Sequence, residues 1–215
     1  MTAFKSVVLD VDSTVAAIEG IDWLAALRDP ATAGRVLALT NDAMEGRVPL
    51  DAVYAQRLAI IQPTRDELAE LSGAYIASAM PGVREAVAVW QDAGVRVVLV
   101  SGGLRDALLS LGAWLGIAAS DVHAVEVEYD ATGLVSGVEA QSLLSQRGGK
   151  PMVVSAMDLP RPTLAVGDGA TDAELISVVD RFIAFTGVVR RDGVVALAAT
   201  EVASFAALTP LVLGH

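Results

Sequence analysis

Two aspartates separated by one residue, Asp10 and Asp12, are the first residues of the sequence whose types and spacing suggest chemistry. They follow the apolar run Ser6–Leu9, which is typical of a buried strand. Two carboxylates in one small site repel each other, so a cation or a proton must neutralise part of their charge. Mg²⁺ prefers such oxygen ligands, whereas an EF-hand calcium loop is excluded because Val15 and Ile21 replace its required Gly and Glu. The pair by itself also suits a loop that caps the next helix.

A second acidic segment, Gly167-Asp168-Gly169-Ala170-Thr171-Asp172, follows the apolar run 163–166. Gly-x-Gly after a strand is typical of dinucleotide binding, but Asp172 stands where that fingerprint has its third glycine. Two carboxylates would repel a pyrophosphate and attract a metal ion. A turn with a capping aspartate remains the structural alternative.

Two further segments could bind an anion. Ser101-Gly102-Gly103 follows the apolar run 95–100 and precedes a predicted helix over 104–115, and backbone N–H groups at a helix start bind anions. Lys150 follows Gly148-Gly149 at a predicted loop-to-helix junction, where its ammonium could hold a phosphate. Each alone also fits an ordinary helix cap or a solvated lysine. Four such elements in order along one chain make coincidence a poor explanation.

The elements that must position these residues form a recurring pattern. Three apolar strands, each followed by a polar turn and a helix, predict a parallel α/β sheet covered on both faces. Ligands bind outside the carboxyl ends of such strands, where all three polar turns fall. Four predicted helices lie between the first two strands, far more than a crossover needs, and indicate an inserted cap: 18–27, 32–44, 50–58 and 67–79. Alternation around Asp130-Ala131-Thr132-Gly133 predicts a β-hairpin within 124–138.

Composition limits the classes of function. The 215 residues carry a net charge of −11, which disfavours nucleic acids and anionic membranes as partners. The absence of cysteine excludes a disulfide framework, a thiolate nucleophile and a Cys-built zinc site. With only two histidines, the sequence also disfavours a catalytic histidine and a His-based metal site. No signal peptide or membrane-spanning run is visible, and we expect a cytoplasmic protein.

The four motifs together resemble the haloacid dehalogenase superfamily. Its pattern matches Asp10-x-Asp12-x-Thr14, Ser101, Lys150 and Gly167-Asp168-Gly169-x-x-Asp172. The second aspartate distinguishes the phosphatases and phosphomutases of that superfamily from its dehalogenases, so the resemblance implies phosphoryl transfer. It also implies a Rossmann-like parallel core over 1–14 and 80–215, a helical cap over 15–79 and a small hairpin insertion.

Within that superfamily the chain is similar to the phosphoserine phosphatase family. The similarity lies in both core and cap, over the runs Asp10-Val11-Asp12-Ser13-Thr14, Glu19-Gly20-Ile21-Asp22, Met44-Glu45-Gly46-Arg47-Val48-Pro49 and Arg57-Leu58-Ala59-Ile60-Ile61-Gln62-Pro63. It implies that Asp10 is the nucleophile and Asp12 the acid and base, with Mg²⁺ held by Asp10, Asp12, Asp168 and Asp172. The implied substrate is phosphoserine, and the residues implied to bind it are Glu19, Met44, Gly46, Arg57, Ser101, Gly102, Gly103, Lys150 and Thr171.

Two other functions remain open. The chain could act on another small phosphomonoester or transfer phosphate to an alcohol. It could also be a regulatory module that binds metal and phosphate without turnover. A monomer and a homodimer both agree with the sequence. The charged residues on helix 50–58 and around Glu19 also suit a solvated helix face without a role in binding.

Overall fold

The computed structural model describes residues 3–44 and 50–215, with the backbone alone described for 40–44 and 50–52. Six of the described strands form one sheet in the order β3-β2-β1-β6-β7-β8, and every neighbouring pair is parallel. These strands are β1 (Ser6–Leu9), β2 (Arg96–Leu104), β3 (Val122–Val125), β6 (Thr163–Gly167), β7 (Arg181–Phe185) and β8 (Thr200–Val202). The predicted parallel α/β fold is confirmed.

The central strands are apolar throughout because both faces of the sheet are covered. Along β1, Val7 and Leu9 pack into one apolar core, while Val8 packs into a second core on the opposite face. The helices of the described residues are α1 (Gly20–Ala26), α2 (Pro30–Met44), α3 (Leu50–Ile61), α4 (Arg65–Ala77), α5 (Val83–Asp92), α6 (Arg105–Trp114), α7 (Gly149–Ala156), α8 (Ala170–Ala173), α9 (Asp192–Val195) and α10 (Phe205–Leu213). None of them is long and apolar enough to cross a membrane.

The four predicted cap helices are present as α1 to α4, with shifted ends. Helix α4 begins at Arg65 because Thr64 caps it: the Thr64 hydroxyl accepts from Glu67 N at 3.1 Å, and Glu67 accepts from Thr64 N at 2.8 Å. Helix α4 packs along α6 of the sheet layer, and their buried residues share one core. The division into a cap at 15–79 and a core at 1–14 and 80–215 stays a prediction.

Two sequence predictions need correction. The helix predicted over 104–115 is present as α6 (Arg105–Trp114), but Ser101-Gly102-Gly103 is part of the strand rather than the start of the helix. Strand β2 continues to Leu104, which pairs with Val125 of β3. The predicted hairpin is present, but it is shorter than 124–138. It consists of antiparallel β4 (Val127–Tyr129) and β5 (Val135–Val138), since the preceding residues are buried in the main sheet as β3.

Candidate active site

Three of the predicted site segments meet at one edge of the sheet. Asp10 follows β1, Ser101 lies near the end of β2, and Asp168 follows β6. Strand β1 pairs with both β2 and β6, so the three segments are immediate neighbours. This is the carboxyl edge of a parallel sheet, where such folds bind ligands.

Three carboxylates form a buried cluster at this edge. Asp10, Asp168 and Asp172 each offer an oxygen, and these oxygens all lie within 4.8 Å of one another. Lys150 enters the cluster from the start of α7 and donates to Asp10 Oδ1 at 2.6 Å and to Asp172 Oδ1 at 2.5 Å. Lys150 is only 6% exposed, so its ammonium is dedicated to these carboxylates rather than to water.

The cluster changes the protonation of its members. The pKa of Asp10 is raised to about 8, chiefly because the group is buried and next because of the neighbouring charge of Asp172, while Lys150 opposes both effects. Burial alone would lower the pKa of Lys150, but Asp10 and Asp172 together raise it above its usual value. A divalent cation at the cluster would favour the ionised form of Asp10. The site therefore suits a nucleophilic carboxylate only together with bound positive charge.

The glycine before Asp168 makes room for Asp172. A Cβ atom on Gly167 would lie 2.2 Å from Asp172 Cγ, so no larger residue fits without displacing that carboxylate. Asp172 Oδ2 in turn accepts from Gly169 N at 2.9 Å, which fixes the aspartate in the first turn of α8. Thr171 lies in the same turn. The Gly-Asp-Gly-x-x-Asp spacing therefore serves to bring two carboxylates into one small volume.

Asp168 contacts Thr14 and Arg191, and the sequence predicted neither contact. The Thr14 hydroxyl donates to Asp168 Oδ1 at 3.2 Å. Arg191, just before α9, forms an ion pair with the same carboxylate. Arg191 lies in a loop without any motif, so no sequence signal indicated it.

The carboxylate of Asp12 bonds to α1 and α4 and is not part of the cluster. Its Oδ1 accepts from Tyr75 Oη at 2.7 Å and from Gly20 N at 2.9 Å. The pKa of Asp12 is raised to about 6, chiefly because the group is buried and next because of the charge of Glu19, while the hydrogen bond from Tyr75 opposes this. Glu19 itself accepts from the Ser13 hydroxyl at 2.6 Å. The structure thus brings Glu19 next to the Asp10–Asp12 turn, as the substrate prediction requires.

The Ser101-Gly102-Gly103 segment lies at the end of β2, the strand that pairs with β1. Ser101 is fully buried, and its hydroxyl accepts from Gly103 N at 2.9 Å. Tyr54, from cap helix α3, donates its hydroxyl to Gly102 O at 2.8 Å. This bond joins the cap to the segment that was predicted to bind phosphate.

The remaining predicted substrate residues are Arg57 of α3, Met44 and Gly46. The Arg57 guanidinium carbon lies 5.6 Å from the centre of the Tyr54 ring, the same ring whose hydroxyl bonds to Gly102 O. The charge of Arg57 also acts on Asp22 of α1. Gly46 and the side chain of Met44 lie outside the described residues.

Tyr54 and Tyr75 were missed by the sequence reasoning. Both are almost completely buried aromatic residues of the cap. For Tyr75 a signal existed: Leu68, Leu71 and Tyr75 recur at helical spacing on the buried face of α4, and a buried tyrosine hydroxyl requires a partner. The identity of that partner could not be read from the spacing.

The carboxylate cluster fits a metal ion on its own chemistry. Its three carboxylates are buried, converge on one point and offer only oxygen atoms. Hard divalent cations such as Mg²⁺ prefer oxygen ligands of this kind. The cluster can therefore hold a metal ion, in addition to the ammonium of Lys150.

A comparison of the chain with models of protein families identifies the class of protein to which this fold and site belong. The model of the haloacid dehalogenase-like hydrolases matches residues 7–177, which contain all four motifs. The chain belongs to this family of hydrolases.

Individual relatives are more specific. The chain is 36% identical to the phosphoserine phosphatase of Bos taurus, over 88% of this chain and 84% of that protein. It is 33% identical to the phosphoserine phosphatase of Idiomarina loihiensis, over 83% of this chain and 80% of that one. Among solved structures, a phosphoserine phosphohydrolase-like protein from Francisella tularensis superposes with a TM-score of 0.86 at 23% identity, covering 99% of this chain and 100% of that chain. This last similarity concerns the fold.

Proposed function

We propose that this chain is a phosphoserine phosphatase, which hydrolyses O-phospho-L-serine to L-serine and phosphate with the help of Mg²⁺. This would be the last step of serine biosynthesis. The observation that carries the proposal is the arrangement of Asp10 and Asp12: one carboxylate lies against Lys150 in the acidic cluster, and the other is held by the cap. The similarity to phosphoserine phosphatases over most of the chain supports the choice of substrate.

Asp10 attacks the phosphorus in line and forms an aspartyl-phosphate. Lys150, which already contacts Asp10, binds a phosphate oxygen and stabilises the charge that spreads over the phosphoryl oxygens. Ser101, Gly102 and Gly103 bind the phosphate from the neighbouring strand end, and Thr171 binds it from the start of α8.

Asp12 moves the protons. It gives a proton to the serine oxygen as that oxygen leaves, and it then takes a proton from the water that hydrolyses the aspartyl-phosphate. A raised pKa of about 6 suits a carboxyl group that must be an acid in one step and a base in the next. Its position beside Glu19 supports this role, because we propose that Glu19 binds the ammonium group of the same substrate.

Asp10, Asp168 and Asp172, with the backbone carbonyl of Asp12, would hold the Mg²⁺. When bound, the ion neutralises the repulsion between the attacking carboxylate and the phosphate dianion. The chain's own contribution is to keep these carboxylates together, through Lys150, Thr14 and the small Gly167.

The cap selects the substrate. Arg57 binds the serine carboxylate, Glu19 binds its ammonium group, and Met44 and Gly46 line the pocket. Residues 15–79 act as a lid that excludes water until serine has left. We place the protein in the cytoplasm, and the net charge of −11 supports a function without nucleic-acid or anionic-membrane partners.

Arg57→Ala should raise the KM for phosphoserine by about 100-fold, because a charge-assisted bond to the substrate carboxylate is lost. The KM for p-nitrophenyl phosphate, which has no carboxylate, should change less than about twofold. Steady-state kinetics on both substrates measure this difference. Arg35→Ala, which removes an exposed arginine of α2, is the matched control and should change neither KM. Equal effects of Arg57→Ala on both substrates would remove Arg57 from the carboxylate site.

Phosphate release tests the function as a whole. We expect release from L-phosphoserine to be much faster than from phosphothreonine or p-nitrophenyl phosphate, to stop in EDTA, and to return with added Mg²⁺. Hydrolysis of the aryl ester alone would keep the aspartyl-phosphate chemistry but reject the substrate. Transfer of phosphate to an added alcohol in preference to water would indicate a phosphotransferase. Tight phosphate binding without any turnover would indicate a regulatory module.

A further inference from the structure

The side chain of Asp12 is fixed through one of its two oxygens. Tyr75 Oη and Gly20 N both donate to Oδ1, at 2.7 and 2.9 Å. The acid proton is disfavoured on a carboxyl oxygen that already accepts two hydrogen bonds, because the proton would be repelled by the hydrogens of the two donors. The proton of a neutral Asp12 therefore belongs on Oδ2.

Tyr75 is held so that its hydroxyl cannot move far from Asp12. The residue is fully buried on α4, whose apolar face packs against α6. A Cβ atom on Gly20 would lie 2.0 Å from Tyr75 Oη, and one on Gly103 would lie 3.2 Å from it. The hydroxyl thus fills a junction between the cap and the Ser101-Gly102-Gly103 segment.

We propose that Tyr75 is a positioning residue for proton transfer to the leaving alcohol, acting through Asp12. The inference rests on the proposed function. As an Asp10 oxygen bonds to phosphorus and the ester P–O bond breaks, Asp12 Oδ2–H passes its proton to the ester oxygen. Serine leaves as a neutral alcohol. Asp12 Oδ1 keeps both hydrogen bonds, which stabilise the carboxylate that has formed and hold Oδ2 in place to take a proton from water afterwards.

The leaving group provides a readout that a purely structural role of Tyr75 would not change. A serine alkoxide is strongly basic and needs a proton to leave, whereas a nitrophenolate leaves without one. The ratio kcat/KM covers the steps up to departure of the leaving group, and so excludes hydrolysis of the aspartyl-phosphate. A loss of positioning should therefore lower kcat/KM for phosphoserine and spare that for p-nitrophenyl phosphate.

The experiment compares Tyr75→Phe with wild type on both substrates, in the Mg²⁺-loaded enzyme. We expect kcat/KM for phosphoserine to fall about tenfold and that for p-nitrophenyl phosphate less than about twofold, since positioning supplies part of the general acid–base effect. Tyr129→Phe is the matched control: it removes another tyrosine hydroxyl bonded to an aspartate, Asp106, outside the site. Neither rate should change in that control.

A double variant tests whether Tyr75 acts through Asp12. Adding Tyr75→Phe to Asp12→Asn should cause no further loss on phosphoserine, because the proton that Tyr75 positions is already gone. The same tenfold loss in that background, or equal losses on both esters in the single variant, would overturn the proposal. A wild-type enzyme inactive on phosphoserine would instead count against the proposed function. Should Tyr75→Phe fail to fold, Gly20→Ala, whose Cβ atom would lie 2.0 Å from Tyr75 Oη, displaces the hydroxyl and allows the same comparison of esters.

Discussion

Asp10→Asn should lower phosphoserine hydrolysis by on the order of 10⁵-fold, because the amide cannot form the aspartyl-phosphate. The same change should not lower the unfolding temperature. Asp10 lies beside Asp172 in a buried site, and its pKa is raised to about 8, so the folded protein favours an uncharged group there. Removing the charge relieves this repulsion, and we expect an unfolding temperature that stays level or rises.

The measurements are phosphate release and thermal unfolding, both on the purified variant. Asp158→Asn is the matched control, since this exposed aspartate follows α7 far from the carboxylate cluster. It should leave activity and unfolding temperature unchanged. Asp10→Asn with more than about a tenth of wild-type activity would show that another group attacks phosphorus. A large loss of stability in that variant would show that Asp10 contributes to folding through Lys150.

Lys150→Met should have the opposite effect on stability and a large effect on activity. The ammonium bridges Asp10 and Asp172, whose side chains are only 9% and 2% exposed. Removing one partner of a buried ion pair leaves charge without compensation, which costs about 3–5 kcal/mol of folding free energy. Loss of a charge that stabilises the transferring phosphoryl group should lower kcat/KM by about 10³-fold.

Urea unfolding in EDTA measures the stability change without contribution from a metal ion. The loss should shrink as the pH falls, because a protonated Asp10 no longer needs the cation. Added Mg²⁺ should restore part of the stability, since it can supply positive charge to the same carboxylates. Lys5→Met is the matched control, because Lys5 is exposed and lies before β1. Equal stabilities of Lys150→Met and wild type in EDTA would mean that the cluster does not depend on this lysine.

The parts of the fold that depend on local pattern were predictable. The apolar run Ser6–Leu9 is a strand with its predicted bounds, and the capping box at Thr64 begins α4. Asp10 and Asp168 could be placed at one sheet edge because parallel strands end on the same side. The error at Ser101-Gly102-Gly103 has a non-local cause: β3 pairs with the end of β2 and keeps that segment extended.

The sequence by itself determined which residue types stand at the strand ends, and hence that a carboxylate and metal chemistry is possible. Only the tertiary structure decided which groups neutralise and orient the carboxylates at these strand ends. Lys150 meets Asp10 across 140 residues, and Tyr75 meets Asp12 across 63. Periodicity indicates that a side chain is buried, but its partner depends on how distant elements pack. The close contact of Gly20 with Tyr75 is of this kind. Only the packing of α4 against Gly20 explains why a residue with a Cβ atom would not fit at that position.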